Sequence, residues 1–426
     1  MNYESLKRLL KTEDAMAVFA RLYGLKTEGY SKQMTRYTQL VKCHEELYNN
    51  ENSLCIISSP GRSEIIGNHT DHNKGCVLAA AINVDTLAVV AKRNDTTVNI
   101  YSEGYDPVKI DLQDLKPVPQ EAGTSAALVR GVAARMQELK YIIGGFDAVV
   151  TSDVLSGSGM SSSAAFEVMC VAVLDKLYNG FSIPAIEKAK ISQYAENNYF
   201  MKPSGLMDQM ASAVGGLVAI DFKNDEPLVD PISYSFADKG YALAVVAPGG
   251  SHDDLTDEYA AIPKDMFDVA TYFKEDCLRK VRKEQVLQSI NELRSATSDR
   301  AILRSLHFFN ENERVLQAVE ALKSDDIDAF IDALNASGIS SKTMLQNVFV
   351  AGYDSQPLAL SQAIAAEVLA GTGASRVHGG GFAGTTLHLV PLDKKEAFKQ
   401  EMESAFGNVA CRFIDVRPDG ACVAFG

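Results

Sequence analysis

Four stretches of this chain concentrate residues that could do chemistry. The first runs Pro60-Gly61-Arg62-Ser63-Glu64-Ile65-Ile66-Gly67-Asn68-His69-Thr70-Asp71-His72-Asn73-Lys74-Gly75. Asn68, His69 and Asp71 are close together and can each hydrogen-bond a polyhydroxy ligand; Asp71 offers two acceptor oxygens, which suits a pair of hydroxyls. The same residues also read as a polar turn whose side chains satisfy one another. His69 and His72 have the spacing of a metal pair but lack a third ligand nearby. The second stretch is Leu155-Ser156-Gly157-Ser158-Gly159-Met160-Ser161-Ser162-Ser163-Ala164-Ala165. Its small residues let the backbone approach an anion, and a helix starting here would add unpaired N–H groups at the positive end of its dipole. Three consecutive serines supply hydroxyls for phosphate oxygens or a cation. No Gly-Lys-Ser/Thr follows, so this is not a Walker A loop, and no G-x-S-x-G elbow is present.

The third stretch, Ala195 to Gln209, places Asp208 among Leu206, Met207 and Met210, the setting of a helix cap or of a functional acid. The fourth, His378-Gly379-Gly380-Gly381-Phe382-Ala383-Gly384-Thr385, has a G-x-G-x-x-G spacing. A dinucleotide fingerprint needs a strand before it and a helix after it. Here a helix is expected before and a strand after, so the run reads as a tight helix-to-strand turn.

The elements that must hold these stretches follow from hydrophobic patterning. Residues 4–48 are expected to be helical, with apolar patches around Leu6, Leu9, Leu10, Phe19 and Leu22. Leu54–Ser58 reads as a buried strand closed by the turn signal Pro60-Gly61. Val77–Ile82, Thr86–Lys92, Thr97–Tyr101 and Phe146–Thr151 read as further strands. Residues 163–177 are apolar nearly all round, the mark of a helix buried on most sides. Helices are expected at 184–198, across the charged region 264–334 and at 356–370. Strands are expected at Gly215–Phe222, Ala242–Ala247, Thr385–Val390, Ala410–Asp415 and Ala421–Phe425. Helices and strands mix without strict alternation, which favours α+β over a doubly wound sheet. The expected organisation is a helical segment over 1–50, one domain over 51–225 and a second over 226–426.

Composition bounds the class. The chain has 426 residues, 46% of them apolar and 23% charged, with a formal net charge of −14. That is globular composition, and its acidity argues against nucleic acid and anionic membrane surfaces as partners. Seven scattered cysteines with no CxxC pair suit free thiols in a reducing compartment. No signal-peptide pattern and no run of about 18 apolar residues is present, so a cytoplasmic protein is expected.

Taken in order, these motifs resemble the GHMP kinase superfamily and, within it, the galactokinases, over roughly residues 54–426. The Gly61-Arg62…Gly67-x-His69-Thr70-Asp71 stretch resembles the sugar-binding signature. Ser158–Ala165 and 379–384 resemble the superfamily's second and third motifs, and Gly205-Leu206-Met207-Asp208-Gln209 the segment with the catalytic aspartate. His252…Glu258-Tyr259 and Arg304…His307-Phe308…Asn312-Glu313 resemble further family segments. The resemblance implies a ribosomal protein S5 domain 2-like first domain, a ferredoxin-like second domain and a site in the cleft between them. It implies transfer of the ATP γ-phosphoryl group to the anomeric hydroxyl of a sugar, in a monomer with Mg²⁺. Arg62 and Asp208 would be catalytic. Asn68, His69, Asp71, Gly205 and Tyr259 would bind sugar. Gly157, Ser158, Gly159, Met160, Ser161, Ser162 and Ser163 would bind ATP, and Ser163 with Glu196 would ligate Mg²⁺. The chain departs from the family in carrying Asn68 for Glu, His72 for Tyr, and Ser337-Gly338 for Ser-His. Asn68 could still bond a sugar hydroxyl, so Asn68→Glu is expected to keep activity. N-Acetylgalactosamine or arabinose kinase activity, or non-catalytic sugar sensing, are the alternative readings.

Overall fold

The computed structural model describes the chain except residues 25–28, 50, 51, 155–158, 203 and 251–254. In chain order the first half comprises α1 (Tyr3–Leu9), α2 (Glu13–Tyr23), α3 (Tyr30–Tyr48), β1 (Leu54–Ile66), β2 (Cys76–Lys92), β3 (Thr97–Ser102), β4 (Val108–Asp111), α4 (Ser125–Glu138), β5 (Phe146–Ser152), α5 (Ser162–Tyr178), α6 (Ala185–Ala195), α7 (Met207–Val214) and β6 (Leu217–Asp221). The second half comprises β7 (Leu228–Ile232), β8 (Tyr241–Val246), α8 (Thr256–Tyr272), α9 (Lys283–Gln288), α10 (Ile290–Ala296), α11 (Asp299–Lys323), α12 (Ile327–Ser340), α13 (Pro357–Leu369), β9 (Ala374–His378), β10 (Thr385–Pro391), α14 (Lys395–Phe406), β11 (Cys411–Ile414) and β12 (Cys422–Phe425).

Two sheets result. The larger has the order β12-β1-β2-β5-β3-β4, with β6 pairing β2 and β7 beside it. The smaller has the order β11-β8-β10-β9, all antiparallel, which is the strand order of a ferredoxin-like unit. β7 and β12 both join the larger sheet, so the chain beyond residue 226 returns to the first layer twice.

The long strand β2 shows how the sequence builds three cores at once. Its side chains alternate faces. Ala88 and Val90 enter the core beneath α4–α7, whereas Leu87, Val89 and Ala91 enter one against α1–α3. Nearer its start, Leu78 and Ala80 join a third core with the smaller sheet, α11 and α12. A strand covered on both faces reads as a continuous apolar run. That is why Val77–Ile82 and Thr86–Lys92 are one strand of 17 residues rather than two.

Three other expectations are corrected. Pro60-Gly61 is not a turn: both residues lie inside β1, at a register shift against β2. Gly61 is needed because a Cβ there would stand 2.8 Å from the Met160 carbonyl oxygen, so β1 can lie directly under the serine loop. β4, β7 and β9 are strands that the patterning does not announce. With β9 in place, the glycine run 379–384 joins strand to strand rather than helix to strand.

Helices α1, α2 and α3 form a cover over the larger sheet. Phe19, Leu22, Tyr37, Leu40 and Val41 are buried against Leu54, Ile56, Leu87 and Phe425. At its centre the fully buried Asp85 accepts from Tyr23 Oη (2.7 Å), Arg36 Nη1 (2.7 Å) and Arg417 Nη1 (3.2 Å). Arg36 also reaches Asp153 (3.5 Å), just after β5 and just before the serine loop.

Candidate active site

The N-terminus of α5, the bulge in β1 and the first turn of α7 meet at one point. Ser161 is the residue before α5, held at φ 60°, and Gly159 sits at φ 70°. This left-handed backbone turns the loop back on itself. Arg62 follows the β1 bulge; its backbone N–H bonds the Met160 carbonyl (3.1 Å) and its Nη1 the Gly159 carbonyl. Its remaining guanidinium face grips Asp208, Nε to Oδ1 at 2.7 Å and Nη2 to Oδ2 at 2.9 Å. The Ser161 hydroxyl donates to the same carboxylate. Burial alone would raise the Asp208 pKa, but the Arg62 charge and these hydrogen bonds outweigh it and hold the carboxyl below its ordinary range. Asp208 does not cap α7, whose N-cap is Leu206 with no side-chain cap bond; it is a carboxylate in the first turn, held by Arg62 and Ser161.

Ser163 and Glu196 are also brought together, Oγ to Oε1 at 3.2 Å. The second oxygen of Glu196 is held by Ser204 Oγ (2.6 Å) and Gln209 Nε2 (2.7 Å), which leaves Oε1 facing the loop. Behind it Gln209 Nε2 also donates to the buried Glu167 (3.1 Å). Burial, reinforced by the Glu196 charge, pushes the Glu167 carboxyl well above the carboxylate range. One hydroxyl and one carboxylate oxygen suit Mg²⁺, a hard cation that keeps waters and takes substrate phosphates for its other positions. Lys202, which sequence reasoning passed over, ends the turn after α6 and places Nζ 3.1 Å from Glu196 Oε1.

On the other side of Asp208, Asp71 and Gly205 touch. A Cβ on Gly205 would overlap the Asp71 carboxylate, so only glycine allows the approach. Burial, then the charges of Asp208 and Glu64, raise Asp71 to about 6. His69, at φ 55°, donates from Nε2 to the Gly380 carbonyl (2.9 Å), leaving its other nitrogen as an acceptor; burial lowers its pKa. Tyr259 donates to the Gly381 carbonyl (2.6 Å) and stacks edge-on against Phe382. Both residues thus fix the glycine turn at the edge of the cleft.

Asn68 is corrected. It is fully buried, its amide donating to Glu64 Oε1 (3.0 Å) and the Gly379 carbonyl (2.7 Å) and accepting from Ser341 Oγ (3.2 Å) and Asn347 Nδ2 (2.8 Å). Two donors and two acceptor positions are all used, so nothing remains for a sugar hydroxyl. The segment around it is braced by α11. Glu311 accepts from the backbone N–H groups of Gly67 (3.1 Å) and Asn68 (3.3 Å), and His307 from α11 contacts the Asn68 carbonyl (2.9 Å). Ser337 donates to Glu311 (2.5 Å), and Gly338 leaves room for the Ser375 carbonyl, where a Cβ would stand 2.5 Å away. Glu311 carried no signal in its own stretch of sequence; only its position beneath Gly67 reveals it.

The glycine turn also reaches the serine loop. A Cβ on Gly159 would stand 3.1 Å from His378 Nδ1, and His378 Nε2 bonds Ser63 (3.1 Å). Of the seven expected ATP-loop residues, Gly157 and Ser158 lie outside the described residues, as does His252. Beside the loop opens a cavity of about 530 Å³, lined among others by Tyr105, Val108, Leu128, Ser162, Ser163 and Phe166.

The sheet pair, the serine loop at a helix N-terminus and the Arg–Asp pair define a GHMP-type kinase. The GHMP kinase N-terminal domain matches residues 127–216 and the galactokinase galactose-binding signature matches residues 42–92. The galactokinase of Glaesserella parasuis serovar 5 is 34% identical over 349 residues, 81% of this chain and 87% of that protein. The galactokinase of Actinobacillus succinogenes is 33% identical over 351 residues, with the same coverage of 81% and 87%. The chain belongs to the galactokinase family. Among solved structures, the Lactococcus lactis galactokinase complexed with galactose has the same fold, with TM-score 0.77, 23% identity and coverage of 90% of this chain and 98% of that one. The Methanococcus jannaschii mevalonate kinase shares it at TM-score 0.60, 15% identity and coverage of 86% and 99%.

Proposed function

We propose that this protein is a galactokinase, transferring the γ-phosphoryl group of ATP to the anomeric hydroxyl of galactose. The observation that carries the reading is the Arg62–Asp208 fork, set against the serine loop on one side and Asp71 on the other. Phosphoryl transfer rests on positioning and charge neutralisation, and this site supplies both.

Asp71, with the Gly205 backbone and His69, binds sugar hydroxyls and sets the ring. Asp208, held as an anion, aims the anomeric hydroxyl and accepts its proton late, when bond formation has made that hydroxyl acidic. Arg62 neutralises charge between carboxylate and phosphoryl group. The loop 157–163 and the N–H groups opening α5 hold the phosphates. Ser163 and Glu196 would hold Mg²⁺, which when bound offsets the phosphate charge. The cavity walled by Tyr105, Val108 and Phe166 takes the nucleotide base; the chain has no tryptophan for this role.

The replacement of Glu by Asn at 68 does not argue for another sugar, because Asn68 is saturated inside the protein. A cytoplasmic setting is part of this reading, supported by the seven free, scattered cysteines. No helix among the described residues is long and apolar enough to cross a membrane. The test is ADP release with ATP against hexoses, pentoses and N-acetylhexosamines. Galactose should give the highest kcat/KM. A preference for another sugar, or no ADP release with any of them, would overturn the reading.

A further inference from the structure

Glu196 Oε1 is the one oxygen of that carboxylate not held by Ser204 or Gln209, and two groups share it: Ser163 Oγ at 3.2 Å and Lys202 Nζ at 3.1 Å. The Glu196 side chain is 3% exposed while that of Lys202 is 59% exposed, so the carboxylate is fixed and the ammonium can leave. The lysine backbone is anchored, its N–H bonded to the Glu196 carbonyl at 3.1 Å, so the side chain swings from a set point. Lys202 is the one ammonium on this carboxylate among the described residues.

We propose that Lys202 is the resident counter-cation of the metal position in the nucleotide-free protein. It yields Glu196 to the divalent ion that arrives with the nucleotide, and remains beside the polyphosphate as a further positive charge. This deepens the kinase reading and rests on Ser163 and Glu196 as metal ligands. Two consequences follow. The free protein binds a divalent cation poorly, because a competing ammonium already sits on the ligand. The nucleotide gains affinity from the lysine charge beside its polyphosphate, whether or not a metal accompanies it.

The experiment measures Mn²⁺ binding by electron paramagnetic resonance and ADP binding by calorimetry, with neither reading turnover. Lys202→Met removes the charge and keeps the length; Lys202→Arg keeps the charge; Glu196→Gln removes the ligand. In the nucleotide-free protein Lys202→Met should bind Mn²⁺ about tenfold more tightly than wild type, and in the absence of metal it should bind ADP about tenfold more weakly. Lys202→Arg should stay near wild type in both. If Glu196→Gln weakens Mn²⁺ binding to the ADP complex but Lys202→Met changes neither affinity, the Lys202 role is overturned and the metal assignment stands. If Glu196→Gln leaves Mn²⁺ binding to the ADP complex unchanged, both fall.

Discussion

Arg62 meets Asp208 through two parallel hydrogen bonds, Nε to Oδ1 at 2.7 Å and Nη2 to Oδ2 at 2.9 Å. Their backbones are 146 residues apart in sequence, one on a strand bulge and the other on the first turn of a helix. A fork of this kind fixes orientation as well as charge, which lysine cannot do. It makes Asp208 an orienting anion and a poor resting base.

Asp208→Asn should lower kcat by about 10³-fold with the fold retained, since amide and carboxylate are nearly isosteric. Arg62→Lys should lose about 10- to 100-fold in kcat, because one point charge replaces the fork. Steady-state kinetics alongside circular dichroism check both; turnover near normal in Asp208→Asn would remove Asp208 from the mechanism.

Asp71 sets the acid limb of sugar binding. Its carboxyl is raised to about 6, so it is ionised above that pH and gains a proton below it. An acid acceptor that becomes protonated loses acceptor capacity. kcat/KM for galactose should therefore fall about tenfold per pH unit below about 6 and be flat above. Asp71→Asn should have low, pH-independent kcat/KM across that window. Asp208, held low, should contribute no limb there.

Gly205→Ala drives a methyl group into the Asp71 carboxylate. Because Asp71 can respond only by leaving its position, KM for the sugar should rise at least about tenfold while KM for ATP is unchanged. An unaltered sugar KM would show that Asp71 does not face the substrate.

Asn68→Glu, which family comparison makes look harmless, should be among the most damaging single changes. It places a carboxylate against Glu64 Oε1 and the Gly379 carbonyl, where the amide now donates. A buried charge facing acceptors costs about 3 kcal/mol or more. Chemical denaturation should show that loss, and Asn68→Ala should show a smaller one of about 1–3 kcal/mol.

The helical cover is structural. Arg36→Ala removes one of the two arginines on the buried Asp85, leaving Arg417. Stability should fall by about 3 kcal/mol. Phe19→Ala should cost about 3–5 kcal/mol by leaving a cavity against Tyr37 and Phe425. Urea unfolding midpoints measure both.

Much of this molecule is legible one residue at a time. The serines before α5 and Asp208 draw notice by their types and setting, and Arg62 and Glu196 through the family resemblance, because family motifs sit in short, fixed contexts that local sequence carries. The two-sheet α+β architecture follows from the same motif order. Other features depend on what arrives from elsewhere in the chain. Pro60-Gly61 looks like a turn until β2 and the serine loop press on either side of it. Asn68 looks like a ligand contact until Gly379, Ser341 and Asn347 close over it. Lys202 and Glu311 carry no motif, and gain meaning only from standing 3.1 Å from Glu196 and from Gly67. Helices α1–α3 carry no motif, and they cover the second face of the large sheet. A side chain's type fixes which bonds it can make. Whether those bonds are spent within the protein or kept for a ligand is decided by partners hundreds of residues away, which no local pattern encodes.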